Sequence, residues 1–436
     1  MNKTFSDRLK YYSISSTEIE YDRYINEYLE SDLDLEINDD FRVFTSTTTA
    51  PILVSFVIWT LLSAKKKGVS KIYFLARDGK IMMEIAKIIN NKFNLELEIK
   101  YLFCSRLVLK SALMKLNYNQ FIEQLSLGQL KLMIDELEIE NIEKSKLKDN
   151  VAKCQGEWES FFNTSQYCEH FVKLSHDKCV LLQEYFLQEG LYNHDEIAFV
   201  DSGWKGSMQA NIVSLLNGDG EKKVPKCYGF YFGITHRDTP NSEYNGFFYS
   251  LSKNFNRQFD FNNNVFEAIC AANHGMTVGY NRTNRGIVPD FRLHVANGDI
   301  EDQENIIKSF TNILCKSLDL FNLNMERLSD QIEPIVKELM NQPKVEDITH
   351  LARIDFDSSI VEKELRPLVK VVNFYDVLNY FLFSRILKNK EHNIHWLAGS
   401  LVYSKKGFVK LIGSGLMILS RMLKNIRMVI NIEKNV

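Results

Sequence analysis

Short, largely apolar runs recur along the chain, each followed by a polar turn and then by a stretch whose apolar residues return at helical spacing. Ile72 to Leu75, Leu97 to Phe103, Ile197 to Val200 and Cys227 to Phe232 are runs of this kind. They are too short for stable helices and rich in β-branched and aromatic side chains, so they predict strands. Lys80 to Ile89 and Met208 to Leu216 carry the intervening helical patterns. Strand and helix in alternation predict an α/β fold built on a doubly wound, mostly parallel sheet. A longer run, APILVSFVIWTLLSA, occupies the 15 positions from Ala50 to Ala64 and ends in Lys65, Lys66, Lys67 and Gly68. Cations followed by glycine close a helix, and the run falls short of the ~20 residues that span a bilayer. It predicts a buried helix.

From about 108 to 192 the pattern is helical and polar with no glycine cluster, and from about 300 onward it is almost wholly helical. The chain therefore divides into a peripheral N-terminal segment of helix and loops (1–45), an α/β domain (46–290) with a large helical insertion at about 108–192, and a helical C-terminal region (291–436).

Composition narrows the class. Hydrophobic residues at 45% with 12% aromatics over 436 positions indicate a packed core, and only 7 prolines exclude long proline-rich linkers. A formal charge of −3 with no basic domain argues against a nucleic-acid partner. The charge is uneven, however: Lys405, Lys406, Lys410, Arg421, Lys424, Arg427 and Lys434 against Glu433 give 405–436 a net +6, leaving −9 for the rest. Interspersed with apolar residues, this tail fits either the anionic inner face of a cell membrane or an ordinary packed C-terminal helix. The seven cysteines form no C-x-x-C pair and are odd in number, and the N-terminus lacks a signal-peptide pattern; a reduced, cytoplasmic protein is expected.

Candidate chemistry lies at the strand ends, where ligands bind in open parallel sheets. After Ile197 to Val200 comes Asp201, Ser202, Gly203, Trp204, Lys205, Gly206 and Ser207, then a helix beginning MQAN. Glycines that admit close backbone approach, a helix N-terminus and a lysine make an anion site, with Gln209 one turn further on. Asp201 repels phosphate but accepts hydrogen bonds from vicinal hydroxyls, so the loop fits a phosphorylated sugar; a tight β–α turn fits it as well. Arg77-Asp78-Gly79 has the same layout, with Arg77 suited to phosphate and Asp78 to Mg²⁺ through water, or the two to a salt bridge across the turn. Ser105-Arg106 follows the next strand. Glu267 and His274 are acid/base candidates in VFEAICAANHGMTVGYNR, which also reads as a helix capped by Gly275. No G-x-x-x-x-G-K-[ST], H-E-x-x-H or Cys/His cluster is present. Asp32-Leu33-Asp34 and Asp355-Phe356-Asp357 follow no apolar strand, and His392 and His395 read as surface histidines.

Taken in order, KIYFLARDG, YLFCSR, IAFVDSGWKGSMQ and FEAICAANHGMTVGY resemble a region shared by bacterial proteins of surface-polysaccharide clusters, usually described as haloacid-dehalogenase-type hydrolases. The resemblance spans about 45–285. Those proteins are expected to carry a phosphatase domain with a D-x-D nucleophile ahead of this region, which this sequence lacks, so the hydrolase assignment is not expected to transfer. The shared region itself is similar to the phosphoribosyltransferases, although a single acid, Asp201, stands for their acidic pair and Trp204-Lys205 for small residues. What the resemblance implies is transfer of 5-phosphoribose from phosphoribosyl pyrophosphate to a glycan of capsule or O-antigen type, with Mg²⁺ as cofactor, a lipid-linked acceptor and a separate phosphatase leaving ribofuranose. It implies Arg77, Asp78, Gly79 and Arg106 at the pyrophosphate, and Asp201 at the ribose hydroxyls. Gly203, Lys205, Gly206 and Ser207 would hold the 5-phosphate, Ser105, Ser202, Trp204 and Gln209 would line the substrate site, and Glu267 or His274 would act as base. The alternatives are a phosphatase using Asp78 or Asp201 as nucleophile, and a non-catalytic module of a polysaccharide assembly complex.

Overall fold

The computed structural model describes residues 3–14, 18–115, 122, 125–154, 158, 167–218, 223–353, 367–386, 394–404 and 407–433. Asp355-Phe356-Asp357, His392, Lys405, Lys406 and Lys434 lie outside them.

The chain opens with α1 (Lys3–Ile14), α2 (Tyr21–Leu29) and α3 (Asp39–Lys66). The expected helix at 50–64 is the second half of α3. Asn38 starts it by accepting from the Phe41 amide at 3.1 Å, and the five hydroxyl residues Thr45–Thr49 form a π-helical turn, in which Thr47 bonds back to the Val43 carbonyl at 2.7 Å. The Ser46 and Thr47 hydroxyls donate to the Val43 carbonyl, which lets the helix run through a polar-looking stretch, while among the described residues those of Thr45 and Thr49 are buried with no hydrogen-bond partner. The resulting 28-residue helix holds an 18-residue window of mean hydropathy 1.6 and is long and apolar enough to cross a membrane, but 83% of that window is buried inside the fold. The N-terminal segment is not peripheral: Tyr21, Tyr24, Ile25 and Tyr28 share one face of α2 and sit in the main core with Tyr12, Phe41 and Phe44. Its acids occupy the opposite faces, which is why composition alone read it as surface.

Five parallel strands follow: β1 (Lys71–Leu75), β2 (Glu98–Leu102), β3 (Glu196–Trp204), β4 (Lys226–Ile234) and β5 (Ser242–Tyr249), in the order β2-β1-β3-β4-β5. Both sheet faces are covered, which is why the strands read as apolar runs. Ile72, Phe74, Ala198, Val200, Phe230 and Phe232 face the core shared with α3 and α4 (Gly79–Phe93). Tyr73, Leu75, Ile197, Phe199 and Cys227 face α5 (Arg106–Leu113) and two further helices. Between β2 and β3 the helical insertion comprises α5, α6 (Leu127–Glu136), α7 (Asn141–Lys153) and α8 (Cys168–Glu189); α9 (Ser207–Asn217) joins β3 to β4.

β5 was not foreseen. Residues 235–241 return the chain to the start of β4, far fewer than the dozen or more of an ordinary parallel crossover. Asp238 accepts from the Tyr244 amide at 2.7 Å within this return. Beyond it come α10 (Asn263–Ile269) and an antiparallel hairpin, β6 (Thr277–Thr283) and β7 (Gly286–Phe291). The rest is helical as expected: α11 (Gly298–Leu314), α12 (Met325–Asn341), α13 (Val345–Leu351), α14 (Phe374–Ile386), α15 (Leu397–Tyr403) and α16 (Gly407–Glu433).

Candidate functional site

The chain leaves β1 toward β2 on one side and returns as β3 on the other, so the carboxyl ends of β1 and β3 lie side by side in the sheet. Three segments meet there: Ala76 to Gly79 after β1, Cys104 to Arg106 after β2, and the end of β3. α10 supplies Glu267 as a fourth element.

The segment expected as a loop from Asp201 to Ser207 is mostly strand. β3 continues to Trp204, pairing Asp201 with Tyr231, Gly203 with Gly233 and Trp204 with Ile234; only Lys205 and Gly206 remain between strand and helix. Gly203 has φ +126°, and a Cβ there would lie 2.0 Å from the Gly233 carbonyl oxygen; Gly206 has φ +62° and abuts the Tyr244 ring. Both glycines are thus demanded by the protein's own packing. Lys205 and Ser207 are exposed beside the N-terminus of α9, and among the described residues Lys205 has no ion-pair partner.

Three carboxylates converge at the floor. Asp78, Asp201 and Glu267 are half-buried, walled by protein on most sides, and each is pushed upward first by burial. For Asp201 the negative charge of Asp78 comes next, and its carboxyl reaches about 7 even though the Ser202 amide donates to Oδ1 at 2.9 Å. Glu267 is raised to about 7 by burial and then by Asp78, against the pull of Arg106 and of the Trp204 indole, whose Nε1 donates to Oε1 at 3.4 Å. Asp78 is raised by burial, opposed by hydrogen bonding from the Ser202 hydroxyl and by the charges of Arg77 and Arg106. Arg106, exposed at the start of α5, is the cation that all three feel. Trp204 packs its ring on Phe261 and Phe266, at centroid distances of 4.9 and 6.1 Å.

Other candidates sit differently. Ser105 caps α5 and its hydroxyl donates to the Thr277 carbonyl at 2.7 Å, pinning the hairpin to the rim. Gln209 is fully buried away from the rim, accepting from the Tyr231 hydroxyl at 2.8 Å. Gly275 caps no helix, because α10 ends at Ile269; it lies against the Arg292 carbonyl instead. His274 is held at both ring nitrogens: Nδ1 contacts the Gly275 carbonyl at 2.9 Å and Nε2 the Tyr101 hydroxyl at 2.7 Å. A carbonyl only accepts, which puts the proton on Nδ1 and leaves Nε2 to accept from Tyr101. Burial also lowers its pKa, so a neutral, already engaged imidazole is a poor base. Burial raises Cys104 and Cys270, which keeps both as thiols.

His236 and Arg237 escaped sequence reasoning. They follow the end of β4, and His236 lies beside Gly206 with its ring tilted against that of Tyr244 at 4.4 Å. Their signal was positional: a fourth strand end next to the third.

No protein-family model matches the chain, and no curated protein matches it.

Proposed function

We propose that the protein is a phosphoribosyltransferase-like glycosyltransferase with a doubly wound sheet, moving 5-phosphoribose from phosphoribosyl pyrophosphate to a hydroxyl of a surface-polysaccharide acceptor. The observation that carries this reading is the meeting of Asp78, Asp201, Glu267 and Arg106 at the β1/β3 crevice, with Lys205 and Ser207 at the adjoining helix N-terminus. Acids for hydroxyls and cations for phosphate lie side by side there, as a phosphorylated sugar requires.

In this scheme Lys205, Ser207 and the first amides of α9 take the 5-phosphate, with His236 and Arg237 alongside. Asp201 accepts from the ribose hydroxyls. Arg77 and Arg106 face the pyrophosphate. The bond from C1 to pyrophosphate breaks, the acceptor oxygen bonds to C1, and the acceptor's proton passes to Glu267. A carboxylate with a pKa of about 7 is poised for that transfer at neutral pH. Three buried carboxylates, two of them raised further by the charge of Asp78, favour an added cation. Among the described residues no three acidic, His or Cys ligands gather closely enough to hold a metal alone. Asp78 would hold Mg²⁺ through water, and the ion would neutralise charge on the leaving group.

Phosphoribosyl pyrophosphate with Mg²⁺ is expected to raise the melting temperature of the protein, and Asp201→Ala to abolish the shift. Incubation with lipid-linked glycans should then add the mass of phosphoribose to the acceptor. No thermal shift at millimolar ligand, or a shift untouched by Asp201→Ala, sinks this reading.

A further inference from the structure

A cavity of about 460 Å³ lies behind the rim, between α5, α6, α8 and the β6–β7 hairpin. Pockets of this size take small organic ligands. Leu107, Val108, Leu181 and Val278 make its inner wall apolar. Its charged lining comprises Asp135, Glu136, Asp177 and Asp290 against Lys178 and Arg292, four acids to two bases. Lys178 is held by Glu136 at 2.6 Å and Asp135 is paired with Lys148, which leaves Asp177 and Asp290 against Arg292. That residual excess of acid disfavours a polyphosphate in the cavity. What it fits is a neutral ring with one apolar face and a rim of hydroxyls: the C–H face packs on leucine and valine, and the hydroxyls donate to carboxylates.

The cavity and the carboxylate crevice share a wall. α5 begins with Arg106 toward the acids and continues with Leu107 and Val108 in the cavity lining, while the bond from Ser105 to the Thr277 carbonyl fixes the hairpin at the seam. We infer that this cavity is the subsite for an uncharged sugar unit of the acceptor glycan, an inference that rests on the phosphoribosyl-transfer reading for the word acceptor but not for the binding itself.

Gly279 offers the test. It lines the cavity, and a Cβ built on it meets nothing within 4 Å, so Gly279→Phe fills the space without a clash at its first atom. Methyl glycosides of neutral hexoses and N-acetylhexosamines, titrated onto the full chain and followed by saturation-transfer NMR, are expected to bind. Gly279→Phe should weaken that binding at least ~10-fold, and Asp177→Asn should weaken it less. A melting temperature of the ligand-free protein that is unchanged in Gly279→Phe reports that the variant is folded. No glycoside binding to the unmodified chain, binding indifferent to Gly279→Phe, or competition by pyrophosphate at the cavity each overturns the inference. Glycoside binding lost in Gly279→Phe, with no phosphoribosyl pyrophosphate shift in any form, instead upholds the cavity and overturns the transfer reading.

Discussion

Trp204 holds φ at +80°, a conformation that costs a bulky residue roughly 1–3 kcal/mol and persists only when its surroundings enforce it. Enforcement is visible: the Thr235 amide and hydroxyl both donate to the Trp204 carbonyl, at 2.9 and 2.8 Å, and the indole is packed on Phe261 and Phe266. The outcome is an N–H aimed at Glu267. Trp204→Phe keeps the aromatic packing and removes only that donor. Without it the carboxyl rises further, so the acid limb of the pH–rate profile is expected to move to higher pH with little change in melting temperature. An unmoved limb excludes Trp204 as a positioning residue. The raised carboxyls also make a stability statement. Asp201 and Glu267 titrate near 7 when folded, against ordinary values near 4. Ionising them in the crevice is unfavourable, so stability present below about pH 4 is lost as pH rises through 7. Asp201→Asn and Glu267→Gln escape this loss: each is expected to stabilise the free protein by roughly 1–3 kcal/mol at pH 8 and by almost nothing at pH 4. Thermal melts across that range check it, and a gain as large at pH 4 as at pH 8 refutes the cause assigned.

The first four strands were legible because burial on both faces makes them near-continuous apolar runs, while β5, β6 and β7 were not, since their signal is tertiary. β5 carries Glu243, Asn245 and Gly246 among its aromatics and follows a return too short to announce a parallel partner. β3 outran its apolar run because pairing with β4, not side-chain character, carries Asp201 to Trp204 as strand. The candidate site was legible residue by residue, but the coupling of Glu267 to Asp78 and the indole contact were not, because α10 reaches the rim from more than 60 positions downstream of β3. α16 shows the same division between legible and hidden. Its sequence is basic and apolar throughout; the fold shows that Val409 and Gly413 are buried, while Leu411, Ile418, Leu419 and Met422 are exposed. Spacings of seven and four put Leu411, Ile418 and Met422 on one face. Together with the net charge of the tail, that face matches an anionic bilayer surface, where a lipid-linked acceptor would reside. The full chain is expected to sediment with phosphatidylglycerol-containing vesicles at low salt and progressively less at high salt. Leu411→Glu with Ile418→Glu, both at exposed positions, should abolish sedimentation without lowering the melting temperature; sedimentation that survives both changes disposes of the membrane role.

The first helix is joined to α12 and α13 through one buried cation. Arg8 of α1 is fully buried and donates from Nε to Glu338 of α12 at 2.9 Å, from Nη2 to Asp347 of α13 at 2.7 Å, and from Nη1 to the Thr48 hydroxyl of α3 at 2.6 Å. Asp347 is equally buried and also accepts from the Lys344 amide. The same continuous core takes in Tyr12 and Tyr21, one face of the sheet, α4 with its N-terminus at Asp78, and α11 to α13, so N- and C-terminal helices brace the β1 end of the crevice through shared packing. Arg8→Leu is therefore expected to act far from its own helix. It strands the Asp347 charge in a dry interior at a cost of about 3–5 kcal/mol. Asp347→Leu alone should be comparably damaging, because it leaves Arg8 short of its most buried partner. Arg8→Leu with Asp347→Leu removes both charges and should cost less than the sum of the two by more than ~1 kcal/mol, since neither ion then remains to be desolvated alone. Denaturant melts of the four forms measure the difference directly. Strict additivity shows that the pair does not couple, and loss of α1 contacts at lower denaturant than the sheet, read by hydrogen exchange, shows that the termini do not fold as one unit with the site they brace.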